Sequence, residues 1–166
     1  MNKLHKIIIF ALLVVCVSFA NAQNIKTLMA KASKGDASSQ LLLGVCYKEG
    51  SQIAKNDSLA FYWLNRSARQ GLAEAQVVLG HCYKEGIGVE KDSTKALELY
   101  KLAASCESSL AFDALGDCYY YGIAVKRDII RARYYYSKAA NRGYKKSKMK
   151  YDKIRFLKDD DPLIEF

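Results

Sequence analysis

The chain has 166 residues, 51% of them hydrophobic, with 26 Lys or Arg against 17 Asp or Glu and a formal net charge of +9. That length leaves room for one domain with a real core, not for several. Beyond the first residues no stretch is long and apolar enough to cross a membrane. A zinc site is disfavoured, because residues 23–166 contain a single histidine and no C-x-x-C pair.

The N-terminus reads as a secretory signal. Lys3 and Lys6 precede an uninterrupted apolar run from Ile7 to Val17, and Ala20-Asn21-Ala22 has the small-x-small pattern of a signal-peptidase site. Cleavage after Ala22 would remove residues 1–22 and leave Gln23 first. The apolar run is about half of the roughly 20 residues a spanning helix needs. Cys16 is a poor lipidation site, because bulky Val15 precedes it. The product is expected to be exported, periplasmic or secreted, in an oxidising compartment, which argues against a nucleic-acid partner.

A block then recurs every 36 residues. Leu43-Gly44-Val45-Cys46-Tyr47 is followed by Leu79-Gly80-His81-Cys82-Tyr83 and Leu115-Gly116-Asp117-Cys118-Tyr119, and Gly50, Gly86 and Gly122 follow each tyrosine at one distance. Ala60, Ala96 and Ala132 are in register, as are Ala68, Ala104 and Ala140. Self-similarity at this period indicates stacked units, each relying on its neighbours to bury an apolar face. Apolar spacing at i, i+3/4, i+7 predicts two helices per unit. The first span about 37–49, 73–85 and 109–121, and the second about 57–70, 93–105 and 129–142. Asn56, Asp92 and Asp128 stand where a short polar side chain caps each second helix. The repeats are 37–72, 73–108 and 109–144, with capping helices over 25–34 and 144–157 and an acidic tail over 159–166. Asp159-Asp160-Asp161-Pro162 is expected to fray.

These residues resemble the Sel-1-like repeat family, relatives of the tetratricopeptide repeats. The second unit meets the family pattern most closely, with Ala75, Leu79, Gly80, Tyr83, Gly86, Gly88, Val89, Asp92, Lys95, Ala96, Tyr100, Ala103 and Ala104. The other units keep the frame. Gln52 and Ile53 replace the second glycine and the valine in the first, and Ala124 replaces that glycine in the third. The resemblance implies an all-α, right-handed α/α superhelical solenoid acting as a scaffold or adaptor for a protein or peptide, without a cofactor. Exported bacterial members are associated with envelope processes and host interaction.

The cysteines Cys46, Cys82 and Cys118 share one repeat position and read as small buried hydrophobes. A cysteine-rich branch of the family carries a disulfide between neighbouring helices, and the pair that could carry it here is Cys106 and Cys118. That branch has also been linked to β-lactam binding and hydrolysis. Ser147-Lys148-Met149-Lys150 fits S-x-x-K, but no S-D-N or K-T-G follows, and Ser147 aligns with the packing positions Ala75 and Ala111. The expectation is a protein that is not an enzyme.

Two surfaces remain as candidate binding sites. One is the face of the first helices left outside the core. It comprises Leu41, Val45 and Lys48, then Val77, His81 and Lys84, then Asp113, Asp117 and Tyr120. This row would line the concave side of the implied superhelix, and its variation between units suits recognition of a partner. The other is the C-terminal end. Residues 126–158 carry 13 basic and 2 acidic side chains, whereas 23–125 carry 11 of each. A basic end either keeps the open cap solvated or meets an anionic protein, membrane surface or envelope glycan. The protein is expected to be monomeric.

Overall fold

The computed structural model describes residues 23–162; the expected signal segment 1–22 and residues 163–166 lie outside them. Among the described residues there are helices and turns but no strands. Helix α1 covers 23–33. It is followed by α2 (Ala37–Glu49), α3 (Asp57–Arg69), α4 (Ala73–Glu85), α5 (Ser93–Ser105), α6 (Ser109–Tyr121), α7 (Ile129–Asn141) and α8 (Lys145–Ile154). From α2 onward the even-numbered helices are the first helices of the units. Successive helices pack on one another, giving a right-handed α/α solenoid. Helix α4 also touches α6 directly, so the first helices line the inner side.

Local chemistry explains the boundaries. Asn56, Asp92 and Asp128 each accept a side-chain hydrogen bond from the backbone N–H three residues on, at Leu59, Lys95 and Arg131. Each first helix ends on a glycine in the left-handed region, with φ of 70°, 78° and 71° at Gly50, Gly86 and Gly122. The N–H of each capping Asn or Asp then reaches back to the carbonyl of Tyr47, Tyr83 or Tyr119 at 2.8–2.9 Å. The loop inside every unit is thus hydrogen-bonded at both ends. At the position of Gly88, Gln52 and Ala124 adopt the same positive φ. Only Gly88 lies so close to the preceding unit that a Cβ would come within 2.0 Å of the Asp57 carbonyl oxygen.

The two helices of a unit approach closely because the first presents a glycine to a large side chain of the second. A Cβ at Gly80 would lie 2.4 Å from the Tyr100 ring, one at Gly116 2.4 Å from the Tyr136 ring, and one at Gly44 2.7 Å from Leu64. Tyr100, Tyr136 and Leu64 are fully buried. The core continues between units. Val77, Leu97 and Tyr100 pack with Ala111, Leu115 and Cys118, and Tyr120, Ile129 and Tyr136 pack with Ile154.

The start of the acidic tail is not frayed. Asp159 accepts the Ile129 N–H at 2.6 Å, so α7 has two carboxylates at its N-terminus. Arg127 donates to the Asp159 and Asp161 carbonyls at 2.9 and 2.7 Å, and Asp161 caps the turn at Lys158. A helix N-terminus attracts negative charge, and a charge count along the chain does not register that contact.

The glycine contact sets a stability test. Gly80→Ala should cost about 2 kcal/mol in urea unfolding, because the buried Tyr100 ring has nowhere to move. Gly143→Ala changes a glycine at φ 83° with nothing within 4 Å, and should cost only about 1 kcal/mol, from backbone strain.

Candidate functional site

The third first-helix, α6, supplies Asp113 and Asp117, and the end helix α8 lies against it. Lys150 bridges the two carboxylates, with Nζ 3.0 Å from Asp113 and 2.6 Å from Asp117. Ser147 donates to Asp113 at 2.6 Å and Tyr136 donates to Asp117 at 2.7 Å. The Asp113 and Lys150 side chains are only 14% exposed. Burial disfavours the Lys150 ammonium, but the Asp117 and Asp113 carboxylates outweigh it and hold its pKa above the usual lysine value. Burial and the Asp117 charge keep the Tyr136 hydroxyl protonated. The network ties α6, α7 and α8 together at the inner surface.

One unit earlier the same geometry has a different chemistry. The Tyr100 hydroxyl lies 3.0 Å from His81 Nδ1. Burial, helped by Lys84 and Lys48, lowers the His81 pKa to about 4, so the ring is neutral near pH 7. The neutral ring can pair with the Tyr100 hydroxyl as either donor or acceptor at Nδ1.

His81, Asp113 and Asp117 line one inner cleft of about 500 Å³ together with Tyr144, Lys146, Met149, Lys150 and Lys153. Lys48 and Lys84 stand along the same side, each 27% exposed at the side chain and close to Glu49 and Glu85 respectively. The cleft therefore offers ammonium groups, a neutral imidazole and the thioether of Met149, while its carboxylates are engaged within the fold. Among the described residues no group of three His, Cys, Asp or Glu side chains is arranged to hold a metal ion.

The structure brings together part of the row expected from the sequence and removes the rest. Val77 is 3% exposed and belongs to the core around Leu97 and Tyr100. Tyr120 is fully buried against Ile129 and Tyr136. Leu41 and Val45 are half-buried against the Leu64–Leu79 cluster, so they form no open apolar patch. Val77 and Tyr120 turn inward because α4 and α6 pack on the following unit as well as on their own partner helices. The cleft residues that the three-unit row misses include Met149 and Lys153, and the 36-residue register carried one step beyond Asp113 and Asp117 is the signal that finds them.

Two chemical expectations also change. Ser147 is fully buried and donates to Asp113, and Lys150 is held by two carboxylates, so the S-x-x-K pair presents no available nucleophile. Cys106 and Cys118 are unbonded, as are Cys46 and Cys82. Cys106 precedes the start of α6 whereas Cys118 lies nine residues into it, roughly 14 Å along the axis. A disulfide needs Cα atoms within about 7 Å. Burial raises the Cys82 thiol pKa to about 11 and that of Cys118 to about 12, as expected of core residues.

The Sel1 repeat family model matches residues 37–72, 73–108 and 113–144. The chain belongs to the Sel1 repeat family. A Sel1 repeat protein from Oxalobacter formigenes is 36% identical with a TM-score of 0.66, over 79% of this chain and 98% of that one. A protective antigen of uropathogenic Escherichia coli displaying an SLR fold is 32% identical with a TM-score of 0.74, over 82% of this chain; that match spans 30% of the longer antigen. Helicobacter pylori cysteine rich protein B is similar in fold at 20% identity, with a TM-score of 0.60 over 80% of this chain and 96% of that one. No curated protein matches. Sel1 repeat proteins are helical-repeat interaction scaffolds, and no described helix is long and apolar enough to cross a membrane.

The neutral His81 generates a pH prediction. Its folded pKa lies below the ordinary 6.5, so the unfolded chain binds the extra proton between about pH 6.5 and 4, and stability falls as pH drops through that window. The contribution is on the order of 2–3 kcal/mol. His81→Gln, which offers Tyr100 both a donor and an acceptor, should flatten the loss measured by urea unfolding from pH 7 to pH 4.

Proposed function

We propose that this protein is an exported, non-catalytic scaffold that holds a protein or peptide partner along the inner face of its first helices. The observation that supports this most strongly is the 500 Å³ inner cleft of the last units, whose mixed lining of Lys146, Met149, Tyr144 and His81 offers both apolar and polar contacts. The rigid Lys150–Asp113–Asp117 network beneath it would hold that lining in place, so little ordering would be needed on binding. Helical-repeat scaffolding is the shared property of the family. The buried Ser147 favours a binding role over a β-lactam-directed one. Export rests on the features of residues 1–22.

Two measurements test these readings. A partner recovered from the native envelope and then titrated should bind Lys84→Glu/Lys146→Glu at least about tenfold more weakly than wild type, a loss of about 1.4 kcal/mol. It should bind Lys101→Glu, on the second helix of its unit, as well as wild type. Equal affinity for all three would exclude the inner face. Intact mass of the protein accumulated in its native cells should correspond to a chain starting at Gln23; retention of residues 1–22 would remove the export reading.

A further inference from the structure

The most exposed large apolar side chains among the described residues gather in the last unit. Phe156 is 81% exposed, Ile130 66% and Met149 64%. Met149 and Phe156 occupy register positions whose counterparts one unit earlier are the half-buried Asp113 and the fully buried Tyr120. Met149, on α8, and Phe156, in the turn that follows α8, are bare. Around them stand the exposed Lys145, Lys146, Lys148, Lys153, Arg155 and Lys158. The one acid within α8, Asp152, is taken by Lys148 at 2.6 Å.

A solvated end cap would need the lysines but not Phe156 and Met149. A second copy stacked head to tail is disfavoured by charge. The opposite end of the solenoid, α1, exposes Lys26 and Lys31 and contains no acid, so stacking would set lysine against lysine. An anionic polysaccharide would satisfy the ammonium groups but has no apolar interior to receive Phe156. An anionic bilayer meets both requirements, because interfacial binding combines cationic side chains at the headgroups with aromatic and aliphatic side chains at the acyl boundary. Arg155 over the Phe156 ring, 4.7 Å from its centroid, keeps a cation beside the residue that would insert.

We propose that the α8 end of the solenoid is a peripheral membrane-docking surface for anionic phospholipid, with Met149 and Phe156 entering the interface and Lys145, Lys146 and Arg155 meeting lipid phosphates. This surface adjoins the inner face, with Lys146, Met149 and Lys153 at the shared border and Phe156 and Lys145 outside the cleft lining. Docking through α8 would place the cleft mouth near the bilayer.

The test is co-sedimentation of the protein, purified in the form in which it accumulates in its native cells, with vesicles of phosphatidylethanolamine and phosphatidylglycerol. Phosphatidylcholine vesicles and a soluble anionic polysaccharide serve as the other arms. The expected result is binding to the phosphatidylglycerol vesicles at least about tenfold tighter than to phosphatidylcholine, weakening as salt screens the charges. Phe156→Ser, outside the inner cleft lining, should weaken vesicle binding about tenfold with helicity by circular dichroism unchanged. Lys145→Glu/Arg155→Glu should abolish it. Equal binding to both vesicle types, insensitivity to Phe156→Ser, or preference for the polysaccharide would each overturn the proposal. Because neither variant alters Lys84 or Lys146, loss of vesicle binding with intact partner titration is distinguishable from failure of the inner-face reading.

Discussion

A large side chain seated on a glycine holds each unit of this solenoid together. Gly44, Gly80 and Gly116 let Leu64, Tyr100 and Tyr136 lie across the backbone of the first helix at distances no Cβ would permit. That contact sets how close the helices of a unit come, and so how the next unit can stack. It also carries the tyrosine hydroxyls through the helix pair to the inner surface, where they emerge beside the residue after each glycine. The hydroxyl of Tyr100 meets His81, and that of Tyr136 meets Asp117. Where the second helix offers Leu64 instead, the residue after the glycine is the apolar Val45. The residues at this position therefore follow the buried side chain behind them, because a buried hydroxyl needs a partner.

This coupling changes what variation between units means. A row that differs while the core repeats looks like a recognition surface. Its middle position is in fact tied to packing, and its outer positions divide between core (Val77, Tyr120) and surface (Lys48, Lys84). The part left for a ligand is narrower and lies further along the chain, where α8 adds Lys146, Met149 and Lys153 to the wall of the cleft. The last unit also differs in how it is secured. Lys150 spans two carboxylates, and Asp159 returns to the start of α7. Breaking one arm of such a partly buried ion pair leaves a charge without compensation, which gives the end helix a defined seat even though no second helix comes after it in the described residues.

Charge and shape thus divide the molecule. The first two units carry balanced charge and the repeated core. The last carries most of the cleft lining, the basic residues and the bare Met149 and Phe156. The binding wall of the cleft thus stands directly beside a cationic, partly apolar end, with Lys146, Met149 and Lys153 at their shared border.

The 36-residue period, the limits of the six helices α2–α7, the Asn56, Asp92 and Asp128 caps and the left-handed glycine ends were legible in the sequence, because they repeat with the unit or depend on residues within one turn or one loop, whereas the end helix expected over 144–157 stops at Ile154. The family pattern added the stacking direction. Contacts between residues 30 or more apart were not legible: Lys150 with Asp113 and Asp117, Asp159 with Ile129, and the burial of Val77 and Tyr120 against a neighbouring unit. The disulfide that the cysteine-rich branch implies for Cys106 and Cys118 does not form here, since most of the 12 residues between them are rising α6 helix. A repeat writes its local geometry into every unit, but which face of a helix is covered depends on the packing angle to the next unit. Only the assembled solenoid sets that angle, and with it the place where the repeated core gives way to a surface.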